Sequence, residues 1–185
     1  MIDKSLYTIG AHDISEDRYH ADDICVEPSL SRSFGHQMLA ECPLKAYLNS
    51  PRLYKDFEPK VPTAAMDFGS LCHLLILGKG SEVDICTRDD WKTDFAKGMR
   101  DDSRANHRLP VLEKTHKRGL ELREGFLREI KRLGMLADFE AMDKEKVYIF
   151  RQDGCYLRSM IDGTLIDKPN AMAGIFDLTG SAAFT

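Results

Sequence analysis

No apolar run in this sequence is long enough to cross a membrane. The longest, Leu71 to Leu77, is broken by Cys72-His73 and falls far short of the ~20 residues a spanning helix needs. The start, Met1-Ile2-Asp3-Lys4, has no apolar stretch behind a basic segment, so no secretory signal is expected and a cytoplasmic setting without membrane contact is. There is no CxxC pair either. Cys25, Cys42, Cys72, Cys86 and Cys155 are an odd set of five, which speaks against a disulfide framework and a zinc ribbon and fits reduced thiols. An excess of positive charge is also lacking: 26 Lys and Arg stand against 30 Asp and Glu, for a formal net charge of −4. That excludes a wholly basic nucleic-acid-coating protein and leaves room for a local basic groove. Tandem repeats and low-complexity tracts are missing too.

The remaining 185 residues, 43% hydrophobic and 30% charged, suffice for one sizeable core. Residues 1–30 are polar and irregular and read as an N-terminal arm; residues 31–185 read as one domain. Ser31 and Ser33 offer capping hydroxyls, with Phe34, Met38, Leu39 and Cys42 following at helical spacing. Pro43 ends that helix or restarts it from a first turn. Pro51, Pro59 and Pro62 make 49–65 a loop. The segment 68–77, apolar on nearly every side and closed by Gly78, predicts the most buried helix. A short strand is expected at 82–87, a charged helix from about 88 to 106, and the longest helix over 110–133. After Gly134 the period changes to two: Val147-Tyr148-Ile149-Phe150, a turn at Asp153-Gly154, and 155–161 predict a hairpin, with a third strand at 173–178. The class is α/β, a mixed or antiparallel sheet flanked by helices.

Two acids stand out by position. Asp177 is expected inside an apolar strand, where an unpaired carboxylate costs several kcal/mol and needs a partner or a metal. Asp162 closes the strand before it. Antiparallel neighbours can bring such carboxylates close enough to hold a hard divalent cation. The alternatives are a turn residue before Gly163 and an edge-strand charge that resists aggregation. His73 lies four residues after Gly69 on the same face of the most apolar helix, and Gly69 would let the sheet approach there. A satisfied core histidine is the plainer reading.

Taken in order, Ser29-Leu30-Ser31-x-Ser33, Cys42-Pro43-x-x-Ala46-Tyr47, Gly69-x-x-x-His73, Arg158-x-x-x-Asp162 and Asp177-Leu178 resemble the PD-(D/E)XK nuclease superfamily, and within it the phage and prophage exodeoxyribonuclease VIII-like branch. Tyr19-His20-Ala21-Asp22 and Asn49-Ser50-Pro51-Arg52-Leu53 add to the likeness, which spans about residues 19–185. The resemblance implies a restriction-endonuclease-like core and metal-dependent hydrolysis of DNA phosphodiester bonds in recombination or DNA processing. It implies Mg²⁺ or Mn²⁺ held by His73, Asp162 and Asp177, the two aspartates being catalytic. Glu145, opening the first strand, would be an accessory acid or, equally, a solvated strand-start charge. Separately from the resemblance, Lys117 and Arg118 of the long charged helix and Arg158, four residues before Asp162, are candidate cations at DNA, a solvated face being the plainer reading of that helix.

Two departures matter. The lysine this family carries two residues after its second acid is missing here: Asp177-Leu178 is followed by Thr179-Gly180-Ser181-Ala182, which reads as substitution by Thr179 or as a short deletion. The helix and strand that follow in the family core have no counterpart after the third strand, so a truncated core with an exposed sheet edge is expected. That edge could serve self-association or a recombination partner protein. Some relatives hold an iron–sulfur cluster with one early and three late cysteines; only Cys155 lies late here, and no cluster is expected. The alternative function is a catalytically defective relative that binds DNA or a protein.

Overall fold

The computed structural model describes residues 6–167 and 172–178. The chain is of mixed α/β class and divides into two compact units, 1–60 with 143–176 and 61–142 with 177–185.

The first unit is built on a mixed sheet. Its centre is the hairpin of β5 (Asp143–Gln152) and β6 (Cys155–Asp167), antiparallel with Gln152 paired to Cys155. Asp153 and Gly154 both have left-handed backbone, φ 50° and 84°, as a two-residue type I′ turn demands. The hairpin is therefore where the sequence predicts it, though its strands run well past 147–150 and 155–161. On one side β1 (Gly10–His12) pairs antiparallel with β5; on the other β2 (Ser29–Leu30) lies parallel to β6. The third expected strand forms as β7 (Met172–Phe176), antiparallel to β6.

The expected N-terminal arm is instead part of this unit. Besides β1 and β2 it contains α1 (Glu16–Ala21), and its Ile14, Ile24 and Cys25 are buried with Val147 and Ile149 in one cluster, against which Tyr7, Tyr19, Tyr156 and Met160 pack. Strands of three and two residues carry no visible period, and their partners lie more than a hundred residues away, so only tertiary pairing reveals them. Next, Ser31 caps α2 (Arg32–His36) by accepting from the Phe34 N–H. A π-turn over Gln37–Glu41 follows, and α3 (Pro43–Leu48) restarts with proline in its first turn, where no amide hydrogen is needed.

The second unit opens with α4 (Ala64–Leu77), capped by the Thr63 hydroxyl and closed by Gly78 at φ 74°. It begins a turn earlier than the apolar run suggests and buries Leu71, Cys72, Ile76 and Leu77. β3 (Val83–Cys86) and β4 (Leu109–Leu112) are parallel, joined through α5 (Asp94–Ala105). Here the expectation of helix from 110 fails. Leu109, Pro110, Val111 and Leu112 are all buried, and a strand buried on both faces reads as a continuous apolar run rather than an alternation. The long basic helix α6 therefore covers Glu113–Arg132, and a short α7 (Leu136–Ala141), unforeseen, follows Gly134. Gly119 of α6 has a packing reason. A Cβ there would lie 2.8 Å from Leu75 Cδ1 and 3.0 Å from Leu71 Cδ2, so only glycine lets α6 seat this closely on α4. Among the described residues no helix is long and apolar enough to cross a membrane.

Candidate functional site

Asp162 is buried on β6. The ladder pairs Lys144 with Gly163 and Lys146 with Ile161, which puts Glu145 across from Asp162. Glu145 is half-buried and has a left-handed backbone, φ 49°. For a residue other than glycine, such a conformation costs on the order of 1–3 kcal/mol, and observed strain of this kind clusters at functional positions. Glu145 thus sits at the break in the β5–β6 ladder, across from the Asp162 position, where the β5 backbone turns left-handed. Nearby, the Tyr148 and Thr164 hydroxyls are 2.8 Å apart, and the Lys146 ammonium donates to Asp13, which raises the lysine pKa.

The remaining site residues stand as follows. The β6–β7 ladder ends with Gly163 opposite Phe176, so Asp177 follows the strand rather than lying inside it, and it is exposed. In water the Asp177 carboxylate needs neither a partner nor a metal to offset burial, contrary to the expectation from an apolar strand. His73 is half-buried on α4. Among the described residues, nothing lies within 4 Å of a Cβ built at Gly69. Thr179 lies outside the described residues.

The cations expected at DNA divide. Lys117 and Arg118 are exposed on α6; the Lys117 ammonium pairs with Glu113 at 2.8 Å, and the Arg118 guanidinium lies 4.8 Å from the centre of the Phe68 ring. Arg158 is a different case, and its expected contact with DNA is corrected by its burial. Its Nη1 lies 2.6 Å from the Asp22 carboxylate and 2.7 Å from Ser29 Oγ, and its guanidinium stacks 5.3 Å from the Tyr19 ring. A side chain 7% exposed and paired inside the unit is not presented to a phosphate.

This buried network is the feature that sequence reasoning missed. Asp22, in left-handed backbone at φ 58°, accepts from the Ser29 N–H at 3.1 Å and from the Ser29 hydroxyl. From the other side Arg52 donates to the carbonyls of Asp22, Cys25 and Val26, tying down the segment between α1 and β2. Burial raises the pKa of the Tyr19 phenol and of the Cys25 thiol, keeping both neutral. The only sequence signal was the presence of Asp22 and Arg52 in the segments that carry the resemblance. Neither showed what it bonds.

Among the described residues, no three His, Cys, Asp or Glu side chains gather as a metal-binding group. The opposed pair Glu145 and Asp162 is compatible with a more open arrangement, since Mg²⁺ is commonly held by one or two carboxylates with water and substrate phosphate completing its shell. Comparison with family models, with curated proteins and with solved structures finds no match to this chain.

Proposed function

We propose that this chain is a metal-dependent exodeoxyribonuclease-like protein acting on DNA phosphodiester bonds, with β5, β6 and β7 as the core strands of a restriction-endonuclease-like sheet. The observation that carries the reading is the position of Glu145, in strained backbone across from the buried Asp162. The hairpin pairs the residues on either side of them, Lys144 with Gly163 and Lys146 with Ile161, so both acids sit on strands rather than on a loop. His73 and Asp177 enter the reading through the resemblance, as further ligands to Mg²⁺ or Mn²⁺. A bound divalent ion supplies a water of lowered pKa and positive charge near the leaving oxygen. The chain's own contribution is to fix Asp162: β6 is anchored four residues earlier by the Arg158–Asp22 pair. Lys117 and Arg118 offer exposed charge for the DNA backbone.

A second reading, a catalytically defective relative that binds DNA or a protein, is favoured by Thr179 standing where the family has lysine. A hydroxyl carries no charge, and losing one preorganised electrostatic donor costs about 10²–10³ in rate. One set of assays separates the two readings. The parent and the Thr179→Lys, Asp162→Asn and Asp177→Asn variants are incubated with linear DNA in Mg²⁺ and in Mn²⁺. The nuclease reading expects weak cleavage by the parent, earlier in Mn²⁺, a gain in Thr179→Lys and loss in both asparagine variants. Robust cleavage by Asp162→Asn would place the chemistry elsewhere. No cleavage by any of the four would leave the binding reading.

A further inference from the structure

We draw no further inference here: the strongest candidate, the exposed apolar surface formed by Leu39 of the π-turn with Leu44, Tyr47 and Leu48 of α3, carries nothing because nothing in the structure shows what covers it.

Discussion

A guanidinium and a carboxylate buried together are stable only as a pair, and Arg158 with Asp22 meets that condition through added bonds from Ser29. Removing one partner strands the other charge away from water. The Arg158→Met variant is therefore expected to lose about 3–5 kcal/mol of unfolding free energy. Combining it with Asp22→Asn should recover part of that loss, because asparagine keeps the left-handed backbone without leaving a charge. Denaturant titration of the parent, both single variants and the double variant checks this; strictly additive losses would show that the pair is not coupled. The cysteines give a second test at this scale. Cys25, Cys72 and Cys86 are buried, and burial pushes the Cys25 and Cys72 thiols up, which lowers their thiolate fraction at any given pH. Cys42 and Cys155 are exposed. Under native conditions an alkylating agent should modify Cys42 and Cys155 first, as read by mass spectrometry, with the other three reacting only on unfolding.

Between elements, one glycine sets the α4–α6 contact. Gly119→Ala gains helix propensity of up to about 1 kcal/mol, yet its methyl would meet Leu75 and Leu71 at distances real Cβ atoms rarely show. Overpacking costs typically ~1–3 kcal/mol, so a net destabilisation of about 1 kcal/mol is expected, against a gain for the same change at Gly125, where a Cβ meets nothing within 4 Å. Thermal unfolding of the two variants gives opposite shifts if the close approach is real. In the hairpin, Gly154 at φ 84° is required by the turn rather than by packing. Alanine there is strained although space is open, and Gly154→Ala should destabilise by more than the ~0.4–1 kcal/mol that the same substitution gains at a compatible site.

For the whole molecule, charge decides how a nucleic-acid partner could be met. A net charge of −4 repels DNA at long range, so any attraction must come from local cations such as the exposed Lys117 and Arg118 of α6. With about two to four phosphate contacts, log affinity should fall against log salt with a slope of roughly −2 to −4. Filter binding or fluorescence anisotropy on linear DNA measures that slope, and Lys117→Glu with Arg118→Glu should flatten it. Salt-independent binding, or none at low salt, would remove DNA from the proposal.

Local chemistry alone determined the β5–β6 hairpin through Asp153-Gly154, the stop of α4 at Gly78, the restart at Pro43 and the Ser31 cap, because each depends on backbone preferences within a few residues. Tertiary structure decided the rest. Leu109–Leu112 is a strand because β3 lies beside it, and Gly10–His12 and Ser29–Leu30 are strands because β5 and β6 accept them as neighbours. The acids divided in the same way: Asp162 was expected to close its strand, but β6 runs on to Asp167 and buries it, because β7 and β5 pair along that extension, and the exposure of Asp177 depends on where β7 ends. Arg158 read as a surface cation four residues before Asp162. Only the chain returning with Asp22 and Ser29 made it an internal one, because a charge is driven inward when, and only when, its counter-charge is already there.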